Sequence, residues 1–241
     1  MVDIYKSKLK SGQLGKKDPK TGIPVTLERG MYRDEIRTVV DAPYHTLPDV
    51  PTVKKLSRAR RDRLLMIMLW ETWARENELL MTDVEDLDIK NRTVLLRHTK
   101  AKPRRNKDGS TRSEIIERMV SYSKDTQLKI IEYLETRRSG PLFMSSRGSR
   151  IGVRNVRWMI NKYAVASGIQ KIIGYDKTGD PRYLVVPKAF REAGEAYSVM
   201  DGMDREMAAR IAGHTVEVQK RNYTKFDSIR ARELADKHRK L

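Results

Sequence analysis

Leu64 to Trp70 is the longest unbroken apolar run of the chain, seven residues in 241, and it constrains the fold more than any other feature. A membrane-crossing helix needs about 20 such residues, so the run serves a packed interior. It follows Ser57, a residue suited to capping a helix, and a series of Arg-rich turns. One helix buried along its second half is therefore predicted, with Met66 and Met68 as core filler and Trp70 and Trp73 packed beside them. The length is ample for a real core. No charged-then-apolar signal segment opens the sequence, and the reading is of a soluble, intracellular, cytoplasmic protein.

Around that helix the pattern changes several times. Five of the nine prolines fall within residues 1–51, beside many lysines and few apolar side chains. Such a stretch cannot offset the entropy of ordering, so 1–51 reads as a basic arm, with Met31 to Val40 as a helical turn or a docked strand. After Leu80 the period shifts from helical to alternating. Leu87 and Ile89, a turn at Asn91, then Thr93 to Leu96 and Ile115 to Val120 read as three antiparallel strands. The loop before the third carries Lys100, Lys102, Arg104, Arg105 and Lys107 ahead of an Asp108-Gly109 turn signal. Helices follow: one capped by Asp125 with Leu128, Ile131 and Leu134 inward, and one with Val153, Val156, Ile160 and Tyr163 inward, closed by Gly168. Ile172 to Val186 reads as a polar loop or small hairpin, and Pro187 opens the next helix. A short helix stops at Gly213, and Thr215 caps another that leads to Tyr223. The expected fold is mainly α with a small antiparallel sheet. Residues 52–226 form its principal domain, and 227–241 an amphipathic tail on the same side as Phe226, with Ile229 and Leu234.

Charge narrows the function. Fifty Lys and Arg stand against 32 Asp and Glu, a formal net charge of +18, which points to a polyanionic partner, with nucleic acid the leading candidate. With no cysteine there is no disulfide framework, no thiolate zinc site and no cysteine nucleophile. No two of the four histidines share an i,i+4 spacing, and in the acidic run Asp83, Glu85, Asp86, Asp88 the residues flanking Leu87 are expected to face water. No metal or cofactor is called for. Phosphodiester cleavage then needs a protein nucleophile, guanidinium groups around the phosphate and an acid for the leaving oxygen.

Residues of those types are present. Arg75 closes the buried run, and an arginine there is costly unless paired, with Glu78 three residues on as partner. Farther on come Pro187-Lys188-Ala-Phe-Arg191, Gly213-His214 and Asn222-Tyr223. Lys100 follows Arg75 by 25 residues, His214 follows Arg191 by 23 and Tyr223 follows His214 by nine. In this order and spacing the sequence resembles the tyrosine recombinase, or phage integrase, family over roughly residues 52 to 226. Lys188 stands where most of that family has histidine, similar to the Lys-x-x-Arg variant of some archaeal and viral integrases.

The resemblance implies a mechanism. Tyr223 would attack the scissile phosphorus to give a 3′-phosphotyrosine, while Arg75 and Arg191 hold the non-bridging oxygens. Lys100 would protonate the leaving oxygen, with Lys102 as its rival. His214 and Lys188 would donate to the phosphate and Glu78 would orient Arg75. Lys102, Arg104, Arg105 and Lys107 would bind double-stranded DNA along its backbone, and copies of the protein would assemble as dimers or tetramers on it. Residues 1–51 are too few and too rich in proline for the helical clamp domain that usually precedes this catalytic domain, so the expectation is either a catalytic fragment or an arm that replaces the clamp. Two other functions fit the same charge: relaxation of DNA in the manner of a type IB topoisomerase, and DNA binding without catalysis.

Overall fold

The computed structural model describes residues 30–99, 104–105, 111–112, 115–175, 179–218, 226 and 229. The architecture is mainly helical, with small antiparallel sheets, as the sequence pattern predicts. Its centre is α2 (Val53–Thr72), which packs against α1 (Arg33–His45), α4 (Lys124–Leu134) and α6 (Pro187–Met200). Every residue from Leu64 to Leu69 is buried, so this helix is covered on all sides over that stretch. Each such side chain contributes about 1.5–3 kcal/mol of apolar burial. The helix begins earlier than Ser57. Thr52 is extended at φ −67° and its hydroxyl accepts from the Lys55 amide at 3.3 Å, which makes it the cap and leaves Ser57 inside the helix.

Composition assigns residues 31–45 to the arm, but they form α1, whose Ile36, Val39, Val40 and Ala42 enter the main core with Met31. The packed body therefore starts upstream of residue 52. Residues 1–29 lie outside the description.

Arg75 caps α3 (Glu76–Leu80), and a 3-10 turn (Val84–Asp86) leads to β1 (Leu87–Asp88). β1 pairs with β2 (Thr93–Thr99), which pairs in turn with β5 (Ile115–Ser121), all antiparallel, with Val94 opposite Val120 and Leu96 opposite Arg118. β3 (Arg104–Arg105) and β4 (Thr111–Arg112) form a separate two-stranded ladder; the Asp108-Gly109 turn lies outside the described residues. Asp86 does not face water. Its side chain is 9% exposed and ion-paired with Arg97, while Asp83 pairs with Arg150, so the acidic run is spent on local structure.

In α4 the cap is Ser123, whose hydroxyl accepts from Thr126 at 3.1 Å. The buried face is Thr126, Ile130 and Leu134, whereas Leu128 and Ile131 are exposed. The inward stripe follows the i, i+4, i+8 row rather than the i, i+3 row expected from the sequence. α5 (Val153–Ala166) buries Val156, Ile160 and Tyr163 as expected, and β6 (Ile172–Tyr175) with β7 (Pro181–Tyr183) forms the hairpin before α6. Tyr163 ties α5 to α2 through a 2.8 Å hydrogen bond to the buried Asp62. α7 (Arg205–Ala212) stops at Gly213, in the left-handed region at φ +70°, where a side chain would be strained.

Helices α2 and α6 cross at Gly194. A Cβ there would sit 2.1 Å from the carbonyl oxygen of Trp70 and 2.8 Å from the Trp73 ring, so only glycine admits the approach. At the far end of the chain, Phe226 and Ile229 are buried in the main core, with Phe226 edge-on to Tyr197 at 5.7 Å. Leu234 lies outside the described residues. Among those described, no helix is long and apolar enough to cross a membrane.

Candidate active site

Four chain segments far apart in sequence converge where α2 ends. Trp73 terminates α2 in the left-handed region, φ 49° and ψ 34°, a conformation that costs a bulky residue of order 1–2 kcal/mol. Its ring is held by Ala208 and Ala212 of α7, and its carbonyl is turned out of the helix direction. That carbonyl accepts from Nη1 of Arg191.

Two residues later Arg75 caps α3, and Glu78 closes the same turn. Glu78 accepts from the Arg75 amide at 2.9 Å and from Arg75 Nη1 at 2.6 Å. Its other partner is Arg118 of β5, with Nη2 2.6 Å from Oε2, and Nη1 of Arg191 lies 4.0 Å from the same oxygen. Three guanidinium groups thus surround one buried carboxylate. Burial pushes the Glu78 carboxyl up, but the charge of Arg118 and the hydrogen bonds from Arg75 outweigh it and hold the group below its ordinary value. Arg191 is brought down to about 10 by burial and by the neighbouring charges of Arg75 and Arg118.

The end of α7 supplies the other side. Its terminal carbonyls have no helical partner, and they accept in succession: Ile211 from Arg118 at 2.7 Å, Ala212 from Arg191 at 2.6 Å and Gly213 from Arg75 at 3.2 Å. The negative end of the helix dipole is thereby placed against the cluster. Immediately after it, His214 has Nε2 3.0 Å from Oε2 of Glu195 and Nδ1 3.0 Å from the carbonyl of Thr215. Glu195 stands one helical turn after Arg191 on α6, so both project from one face.

Of the residues singled out from the sequence, Arg75, Glu78, Arg191 and His214 come together. Lys188 precedes Arg191 by one turn, but its side chain is 69% exposed and its ammonium pairs with Glu192 at 2.7 Å. Arg104 and Arg105 enter through their backbone in β3. Tyr223, Lys100, Lys102 and Lys107 lie outside the described residues. Two members of the cluster carried no motif in the sequence. Arg118 shares the inward face of β5 with Ile116 and Val120, so an arginine on the apolar side of an alternating strand was the readable signal. Glu195 sits among the small residues of α6 with its side chain 3% exposed.

Known proteins resemble the chain in sequence and in fold. Over 204 residues the chain is 26% identical to the tyrosine recombinase XerC of Thermodesulfovibrio yellowstonii, a match covering 85% of this chain and 62% of the relative. The crystal structure of XerA recombinase superposes with a TM-score of 0.63 at 20% identity, covering 90% of this chain and 66% of that one. A structure of the XerH site-specific recombinase bound to difH substrate, in a pre-cleavage complex, gives 0.57 at 17% identity over 90% and 56%. The chain thus spans less than two thirds of the length of these relatives. Residues 31–228 match the model of the phage integrase family, and the chain belongs to that family.

Proposed function

We propose that this protein cuts and rejoins DNA strands at specific sites through a 3′-phosphotyrosine formed on Tyr223. The observation that carries the reading is the convergence of Arg75, Arg118 and Arg191 on the single carboxylate of Glu78. Such a cluster sets three guanidinium groups against one carboxylate, and a phosphodiester is the anion that its geometry and the +18 chain best accommodate.

In this reading the Tyr223 oxygen attacks the phosphorus, the bond from phosphorus to the 5′ oxygen breaks, and Lys100 gives that oxygen a proton. A tyrosine has an ordinary pKa of about 10, so the surrounding cations must favour its ionised form. Arg75 and Arg191 hold the non-bridging oxygens, and loss of either should cost about 10²- to 10³-fold in rate. Lys100 as general acid supplies about 10²- to 10⁴-fold. His214 and Lys188 donate to the phosphate, for which Lys188 must leave Glu192. In rejoining, a 5′ hydroxyl attacks the phosphotyrosine, returns its proton to Lys100 and releases Tyr223. Exchange between two duplexes requires a second cut strand, hence a second copy of the chain on the DNA. Lys102, Arg104, Arg105 and Lys107 bind the DNA backbone, and residues 52–226 together with α1 make up the catalytic domain.

The test incubates the protein with a suicide duplex carrying its site and looks for a protein–DNA band on a denaturing gel. Wild type gives the band with chelator present, and Tyr223→Phe gives none while still binding the duplex. A band from the Phe variant overturns the nucleophile assignment, and inhibition by chelator overturns the cation-only mechanism. Absence of any adduct leaves DNA binding without catalysis. Relaxation of plasmids that lack the site would mark a topoisomerase.

A further inference from the structure

Arg118 belongs to none of the boxes that carry the family resemblance, yet its guanidinium reaches the end of α2, Glu78 of α3 and the end of α7. Nη2 lies 2.6 Å from Oε2 of Glu78 on α3 and 3.4 Å from the carbonyl oxygen of Trp73 at the end of α2. Nη1 donates at 2.7 Å to Ile211 in the last turn of α7. Nε and Cδ pack over Gly213, where an added Cβ would come within 3.3 and 3.4 Å of them. Arg118 therefore spans the base of Arg75, the carbonyl that also holds Arg191, and the turn that presents His214.

Its surroundings separate it from a phosphate ligand. Both terminal nitrogens point at internal acceptors, and the side chain is 10% exposed against 41% for Arg75. Arg191, 9% exposed, also gives both terminal nitrogens to internal acceptors, but these are backbone carbonyls; the charge of Arg118 is met by the Glu78 carboxylate at 2.6 Å, against 4.0 Å for Arg191. Nε is buried against Gly213. A guanidinium buried in this way is tolerated only with excellent partners, and the planar fork that reaches Glu78 and Ile211 together is not reproduced by the point charge of a lysine.

We propose that Arg118 is a positioning residue for strand cleavage: by clamping Glu78 to the carbonyl end of α7 it fixes Arg75 and the Gly213-His214 turn relative to each other, without touching the phosphate. This rests on the cleavage reading given above. Misplacement of catalytic groups by about 1 Å can cost on the order of 10²-fold in rate, whereas groups that do not contact the ligand leave its affinity nearly unchanged.

The experiment uses the full chain with Arg118→Lys and Arg118→Gln, each checked by thermal melting. Duplex affinity, single-turnover adduct formation on a suicide duplex, and ¹H–¹⁵N spectra of the arginine Nε groups are measured for each. Expected are DNA affinity within about threefold of wild type, adduct formation slower by about 10²-fold in both variants, and averaged Nε signals for Arg75 and Arg191. In a Glu78→Gln background Arg118→Gln adds less than about threefold, because the two act as a unit. An unchanged rate overturns the proposal, as does a loss of affinity that accounts for the whole rate effect, which would make Arg118 a phosphate ligand. Full additivity with Glu78→Gln also overturns it. Should Arg118→Gln fail to fold, Arg118→Lys carries the same measurements. Should wild type form no adduct, the cleavage reading fails, while the arginine spectra still decide: unchanged Arg75 and Arg191 signals in Arg118→Lys overturn the clamp.

Discussion

Nε2 of His214 lies 3.0 Å from Oε2 of Glu195, with the two side chains 8% and 3% exposed. Because Nδ1 also faces an acceptor, the Thr215 carbonyl at 3.0 Å, only a ring carrying both protons donates to both oxygens. To reach a phosphate, His214 must give up one of these bonds. Glu195 thus holds the imidazole oriented while no DNA is bound. Glu195→Gln keeps an acceptor and removes the charge, and should slow single-turnover cleavage by about tenfold; Glu195→Ala leaves the ring unheld and should cost about 10²-fold. Wild-type rates in both variants would show that His214 does not depend on this carboxylate.

Glu78 should leave a mark on the pH dependence of stability. A carboxyl held below its ordinary value of 4.5 in the folded state binds fewer protons there than in the unfolded chain. Its stabilisation is complete above that value and is lost as pH falls through the lower folded one. Asp62, pushed up from 3.8 by burial, acts with the opposite sign: its contribution is present below 3.8 and lost as pH rises through its higher folded value. Comparing melts of wild type and Glu78→Gln between roughly pH 3 and 6 isolates the first group, with wild type falling more steeply at the acid end. Parallel curves would assign the acid sensitivity elsewhere.

At the crossing of α2 and α6, Gly194→Ala forces a methyl against the carbonyl oxygen of Trp70. Backbone cannot yield as a flexible side chain does, so overpacking should destabilise by about 1–3 kcal/mol. Because Arg191 and Glu195 flank this position on α6, cleavage should also slow, by about tenfold or more. A melting curve superimposable on wild type would contradict so close an approach.

The buried pair Tyr163 and Asp62, joined at 2.8 Å, is structural and distant in role from the cluster. Tyr163→Phe removes the donor and leaves a buried carboxylate oxygen short of a partner, at a cost of about 1–3 kcal/mol. The denaturant midpoint should fall with its slope unchanged, and cleavage by the folded fraction should stay at the wild-type rate. A slower rate would tie this contact to the site.

Local chemistry made much of this molecule legible in its residues. The run Leu64 to Trp70 announces a buried element, and the capped, Arg-rich helical turns that lead into it mark that element as a helix. Alternation around Val94 and Val120 marks a half-buried sheet, and Pro187 and Gly213 bound their helices through fixed backbone preferences. Arg75, Glu78, Arg191 and His214 stood out through their order and spacing. What sequence could not settle depends on which partner a side chain meets. The stripe of α4 runs through Thr126, Ile130 and Leu134 rather than Leu128, Ile131 and Leu134 because neighbouring elements choose which face is covered, and α1 with Met31 joined the core although composition resembled an arm. Arg118 and Glu195 gained their places only when β5 and α6 brought them against Glu78 and His214. A charge buried in a strand or helix is unfavourable in isolation, and the tertiary contacts that offset it are set by the fold.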